Sequence, residues 1–360
     1  MKKVAIISLG NIYLTPYITN YLSILDDQRI SYDVIYWNRH LVNDQVESAN
    51  KNYCFELKSD IEISKVRKIS GYFRFIKYVK RIVNQEKYDG IIYLQTTSAV
   101  LLWFSVNRKF INRYIVDIRD YTFEHLGLYK RIEKKTVSNS YLTIISSKGY
   151  ESFLPKGQYA LSHNYTKIPD GIREQFRNRK KDKEKIRISF IGLIRFMEQN
   201  KRIIKAFGND ERFELFFAGK NADNLKEFIE REGIHNVVLH DYFDKKDTLM
   251  YYVDTDIVMN LYGNHDRLLD YAISNKLYYS ASLYIPILVC EDTYMEAVVR
   301  HFGLGITADV GKDNCIDLVY DYYKNINWTS FSNNCDEFIT CVESDILKTN
   351  HRIQEYLEAL

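Results

Sequence analysis

In the run FIGLIRFMEQNKRIIKAF, residues 190–207, an apolar strand stops at Gly192 and an amphipathic helix follows, with Arg195 and Lys201 around its start. Unpaired backbone N–H groups and the dipole at a helix N-terminus favour anions, and two cations beside them suit a diphosphate. The same pattern also describes an ordinary βα turn with solvated basic side chains. Neither the Gly-Lys-Ser/Thr ending of a phosphate loop nor GxGxxG is present, so nucleotide hydrolysis and dinucleotide binding are disfavoured. In VDIRDYTFEH, residues 116–125, a strand ends among Asp117, Arg119, Asp120, Glu124 and His125. A base for an acceptor hydroxyl belongs at such a strand end; Asp120 is the first choice, with Glu124 and His125 behind it. The competing use is an Asp–Arg pair that fixes the loop and a cap on the next helix.

Weaker candidates surround these two. Gly10 and Asn11 follow the first strand and allow a close backbone approach or a plain turn; His163 and Asn164 end the sixth strand. Asp254 and Asp256 in VDTDIV form an Asp-x-Asp, but they bracket the start of an apolar strand, which reads as capping. No cluster of His, Cys or carboxylates has metal-ligand spacing, and no metal is expected.

The elements that must position these residues repeat one grammar. Near-continuous apolar runs at residues 3–8, 32–37, 89–95, 113–120, 141–146 and 158–164 alternate with helical patterns, which means a parallel sheet covered on both faces. A charged run without apolar periodicity, GIREQFRNRKKDKEK at residues 171–185, reads as a solvated linker. Apolar runs then restart at residues 186–192, 212–219, 236–242, 255–263, 284–290 and 304–309. The expected fold is α/β with two Rossmann-like, doubly wound parallel-sheet domains, 1–167 and 168–325, facing a central cleft. A helical segment, 326–360, is expected to return to the first domain.

In these stretches the chain resembles the bacterial glycosyltransferases of the GT-B fold, family 4-like, that build capsular and other surface polysaccharides. The resemblance runs from MKKVAIISLGN through VDIRDYTFEHLG and FIGLIRFMEQNKRIIKAF to SNKLYYSASLYIPILV and HFGLGI. It implies a hexosyltransferase using a nucleoside-diphosphate sugar, UDP-linked, with no further cofactor. Arg195, Lys201, Asn275, Lys276 and Pro286 match the family's donor-site positions beside the Gly192 turn, and the helix bearing Lys276 would face the sugar nucleotide. Two positions depart from it: Tyr271 and Tyr279 stand where relatives carry glutamates. Asp270 is adjacent to the first, while Tyr279 can stack or donate a hydrogen bond. Tyr284 replaces a usual glycine. Retention and inversion both remain open. So do a sugar-nucleotide epimerase of the same fold and a non-catalytic partner of another transferase.

Composition limits the partners. The 360 residues carry a formal charge of +3 and 46% hydrophobic residues, enough for large cores and too mild a basic excess for nucleic acid as partner. Five scattered Cys without CxxC spacing fit a reducing cytoplasm. No apolar run approaches the roughly 20 residues of a spanning helix. Residues 64–87 hold eight Lys or Arg against one Glu, with Tyr72, Phe75, Ile76, Val79, Ile82 and Val83 at helical spacing. That helix would pack its apolar face on the sheet and offer Arg74, Lys77 and Arg81 to anionic headgroups, worth about 1 kcal/mol each near a surface. Peripheral contact with the inner face of the membrane would suit a saccharide acceptor on a polyprenyl carrier.

Overall fold

The computed structural model describes residues 2–59, 65–179 and 183–360. Ser64 of the basic stretch and residues 180–182 of the charged run lie outside them. The chain divides into two compact units, Met1–His163 with Ser344–Leu360, and Asn164–Glu343.

The first unit holds a seven-stranded sheet: β1 (Lys3–Ser8), β2 (Ser31–Asn38), β3 (Lys51–Glu56), β4 (Gly90–Tyr93), β5 (Tyr114–Ile118), β6 (Leu142–Ile145) and β7 (Ala160–Leu161). Its order is β3-β2-β1-β4-β5-β6-β7 and every pair is parallel. β1, β4, β5 and β6 are buried almost throughout, as strands covered by helices on both faces must be. β3, which is half-exposed and mostly polar in pattern, is an additional strand not expected from the apolar runs. The end of the long helix Trp328–Ala359 joins this core: Ile353, Tyr356 and Leu357 pack with Val4, Ile6 and Ile92, and the Tyr356 hydroxyl donates to the Ile91 carbonyl at 3.2 Å.

The basic stretch forms the helix Lys65–Glu86. Phe75, Val79, Ile82 and Val83 are buried, Tyr72 and Ile76 half-buried, and Arg74, Lys77 and Arg81 exposed. Its anchor is aromatic. Trp37 stacks on Phe75 at 5.7 Å and meets Phe55 and Tyr72 edge-on, pairs worth about 0.5–1.5 kcal/mol each beyond their burial. Gly71 makes room for it: a Cβ there would lie 2.6 Å from the Trp37 ring.

The second unit repeats the plan with β8 (Ile186–Ile191), β9 (Phe213–Ala218), β10 (Val237–His240), β11 (Ile257–Asn260), β12 (Ile287–Val289) and β13 (Gly305–Thr307). The order is β10-β9-β8-β11-β12-β13, again parallel. Phe190, Ile203, Phe207, Phe213 and Phe217 centre its core. The charged run is not a featureless linker at its start, because Asp170–Arg177 is a helix. Phe176 is buried; Arg173 and Arg177 both pair with Asp336, at 2.8 and 3.0 Å. These partners are remote in sequence, so no local periodicity announces them. Tyr284, at φ +52°, completes the cluster by donating its hydroxyl to Asp336 at 2.6 Å. That left-handed backbone explains why glycine suits this position, and the Asp336 and Arg173 contacts hold a tyrosine there instead.

Candidate functional site

Both sheets reverse strand order once, between β1 and β4 and between β8 and β11, and open α/β sheets bind ligands beyond the carboxyl ends of the strands at such points. In the second unit the loop after β8 is built tightly. Gly192 sits at φ +123° and Gly219, after β9, at φ +135°; a Cβ on Gly219 would collide with the Gly192 carbonyl, whereas one on Gly192 would meet open space. The buried Asn200 donates to the Arg195 carbonyl at 2.7 Å, and Asn221 donates to that of Ile194 at 3.2 Å. The loop is therefore tied down while the Arg195 side chain stays exposed. Phe196, left-handed at φ +58°, precedes the helix Met197–Phe207. Lys201 is half-buried and pairs with Glu198 at 2.7 Å, a surface i,i+3 contact of small net value that an incoming anion can displace.

Lys276 is buried. It is 5% exposed, on the helix Asn275–Ser282 that Ser274 caps, while Asn275 faces solvent. Its Nζ lies 2.6 Å from the Tyr262 hydroxyl and 3.3 Å from the Phe190 ring centroid. No carboxylate pairs with it among the described residues. Burial first, and the Arg195 charge second, push its pKa well below the ordinary lysine range. Arg195 and Lys276 thus act on each other at the switch point, where Lys276 packs against the Phe190 and Tyr262 rings and Phe196 meets Tyr262 edge-on. The sequence reading missed Tyr262, whose only signal was its place just after β11.

The remaining donor-side candidates are packed differently. Tyr279 stacks on the buried Tyr252 at 5.2 Å and 19°, so its ring serves the core. Asp270 ends a short helix, Arg267–Asp270; its Oδ1 is buried without a donor, and burial raises its pKa. Asp256 is buried, accepts from the Arg187 N–H at 2.9 Å and pairs with Lys183 at 3.0 Å, which are structural uses. No group of three potential metal ligands occurs among the described residues.

In the first unit, Asp117 and Arg119 form a buried ion pair, 2.6 Å from Nε to Oδ1, and the Tyr21 hydroxyl donates to the other Asp117 oxygen at 2.7 Å. Asp120, next in the chain, is exposed; burial first, and the Asp120 charge in addition, raise the pKa values of the neighbouring Tyr17 and Tyr150. His125 is exposed beside the rings of Tyr121 and Phe123. Glu124 turns inward: it is 5% exposed, accepts from the Thr122 N–H at 2.5 Å and faces the fully buried Glu133. That placement argues against Glu124 as a base. Asn11 is buried and accepts from the Arg39 and His40 N–H groups, which makes it a loop clamp. His163 is buried near Asp345 at 3.4 Å, and Asn164 begins the second unit.

Burial and the Glu124 charge raise the Glu133 carboxyl from 4.5 to about 8. The native chain holds that proton more tightly than the unfolded chain, so this group's contribution to stability falls as pH rises through that interval. Glu133→Gln should flatten the decline. A gain on the order of 1–3 kcal/mol at about pH 8 and little change near pH 5, read by urea unfolding, is the expected result, one pKa unit being worth about 1.4 kcal/mol.

No protein-family model and no curated protein matches the sequence. Solved structures do. Sucrose-phosphate synthase from Thermosynechococcus elongatus superposes with a TM-score of 0.72 at 12% identity, over 100% of both chains. The chain has the GT-B fold. Anabaena HepE in complex with UDP reaches 0.68 at 12% identity over 100% of both chains. The apo lipopolysaccharide outer core galactosyltransferase WaaB reaches 0.64 at 12% identity, covering 98% of this chain and 99% of its own. In this GT-B chain the second sheet's switch point carries the glycine turn, Arg195 and Lys276. No described helix is long and apolar enough to cross a membrane.

Proposed function

We propose that the chain is a glycosyltransferase that binds a nucleoside-diphosphate sugar, UDP-linked, in its second unit and transfers the hexosyl group to a saccharide acceptor. The observation that carries this reading is the buried Lys276, without an acidic partner among the described residues, beside Arg195 at the carboxyl edge of the sheet. A buried cation of that kind is costly unless an anion completes the site. A diphosphate over Gly192 would complete it, meeting Arg195, Lys201 and the N-terminus of the helix Met197–Phe207 without a metal. HepE, similar in fold, is solved with UDP. A polyprenyl-linked acceptor in capsule or surface polysaccharide synthesis, met from the cytoplasmic side through the basic helix, extends the same reading. Asp120 would serve as base if the transfer inverts configuration.

Calorimetry with UDP tests the donor site. Arg195→Ala is expected to weaken binding by roughly tenfold to a hundredfold, since a charge-assisted contact is worth about 1.5–3 kcal/mol. Undiminished affinity would remove Arg195 from the site. The packing of Tyr279 on Tyr252, where relatives carry a glutamate, favours a second reading, a chain that binds the donor without transferring it. Consumption of a UDP-sugar only when acceptor is present decides for transfer over that reading and over epimerisation.

A further inference from the structure

We infer that the helix Gly127–Ser138 and the loop before it form a docking surface for an anionic bilayer. The helix buries Glu133 and Thr136 and turns Lys130, Arg131, Lys134 and Lys135 to solvent. Glu133 is its one carboxylate, so the charge on the outward face is entirely positive. At the start of that face, and in the loop leading into it, three apolar side chains stand in water: Phe123 is 39%, Leu126 49% and Leu128 74% exposed. Leu128, Arg131 and Lys135 are spaced by three and four positions and share one stripe of the helix. The surface extends beyond this helix. The connections β3 to β4, β4 to β5 and β5 to β6 cross the sheet in the same direction, and right-handed crossovers put the helices Lys65–Glu86, Thr96–Leu102 and Gly127–Ser138 on one face of it. Phe104, after the middle helix, is 65% exposed, and Lys109 donates to the Asn84 side chain of the first at 3.2 Å. β2, β1 and β4 lie between β3 and β5, which sets Gly127–Ser138 at the opposite side of this layer from the start of Lys65–Glu86.

A bilayer suits both halves of the surface. Each Lys or Arg near an anionic leaflet multiplies partitioning by about fivefold, and long cationic side chains keep their charge among the headgroups while apolar neighbours enter the acyl boundary. A soluble polyanion would satisfy the cations and leave Leu126 and Leu128 in water. The apolar end also has a fixed place relative to the chemistry, because Asp120 opens the same loop that Leu126 closes. A membrane against Leu128 therefore lies beside the candidate base, where an acceptor held by its lipid presents its sugar. That use rests on the reading of a lipid-linked acceptor; the contact itself does not.

The test is cosedimentation of the full chain with phosphatidylcholine vesicles containing or lacking phosphatidylglycerol. The native chain should sediment with the anionic vesicles, Lys134→Gln/Lys135→Gln at least about tenfold more weakly, and Leu128→Gln more weakly at unchanged net charge. All three positions are exposed, and unchanged circular dichroism and melting temperature show that the variants fold. Should Leu128→Gln fail to fold, Leu128→Trp takes its place, read as a blue shift of the added emission on anionic vesicles and none with heparin. A native chain that stays in the supernatant, a variant equal to the native chain, or an added emission that vesicles leave unshifted overturns the inference. So does a loss confined to Lys77→Gln/Arg81→Gln, which would move the contact to the helix Lys65–Glu86. UDP calorimetry on the same samples keeps the readings apart: the variants should match the native chain, and failure of UDP to bind would undo the donor reading and leave the docking surface standing. Transfer confined to soluble acceptors would remove the lipid-linked acceptor and not the contact.

Discussion

Asp120→Asn is expected to leave UDP affinity unchanged and to lower sugar transfer by about 10²–10⁴-fold, the ordinary contribution of a positioned general base. The end of β5 distributes its charges unequally. Arg119 is committed to Asp117 in a buried pair, and Glu124 is turned inward against Glu133. Asp120 is the carboxylate of the set that remains exposed, so it can meet an acceptor hydroxyl. Initial rates with a UDP-sugar and a short acceptor measure the effect, and the anomeric configuration of the product interprets it. An inverting enzyme with full activity in the variant would move the base to the exposed His125. A retaining enzyme needs no dedicated base, and its loss should be smaller.

The second large effect belongs to Lys276. Lys276→Met should cost roughly 10–150-fold in UDP affinity, the range of one charge-assisted contact, while raising stability by on the order of 1–2 kcal/mol. The gain follows from linkage. Burial and Arg195 hold the Lys276 pKa well below 10.5, so the unfolded chain binds the proton more tightly than the native one. Stability from this group is lost as pH falls below the ordinary lysine range, and a methionine removes that penalty while filling similar space. The bound diphosphate should restore the charge. UDP titrations at a series of pH values below 10.5, in buffers of different ionisation enthalpy, should therefore show more proton uptake by the native chain than by the variant. Unchanged UDP affinity in Lys276→Met would exclude the residue from the donor site.

Much of the architecture could be read from the sequence, because its determinants are local. Strands buried on both faces must be apolar almost throughout, and twelve of the thirteen described strands, the half-buried β10 and β13 among them, coincide with apolar runs. β3 does not, because three of its six positions, Lys51, Asn52 and Glu56, are polar. The glycine turn at Gly192 and the arginine after it were legible for the same reason, since backbone geometry and a helix start are short-range properties. The helix Asp170–Arg177 was hidden, because Asp336 and Tyr284 hold it from far along the chain.

The state of each candidate side chain was decided by tertiary structure alone. Lys276, Glu124 and Asp120 are all charged letters beside predicted strand or helix ends, and nothing local separates them. Packing places Lys276 under Phe190 and Tyr262, sets Glu124 against a glutamate nine positions later, and leaves Asp120 in solvent. Burial and neighbouring charge determine whether an ionisable group is a reagent, a ligand or a structural pair, and both depend on residues distant in the chain. The order of apolar runs announced two Rossmann-like sheets and named candidate residues at their carboxyl edges; only the folded chain decided which of those candidates are buried, paired or exposed.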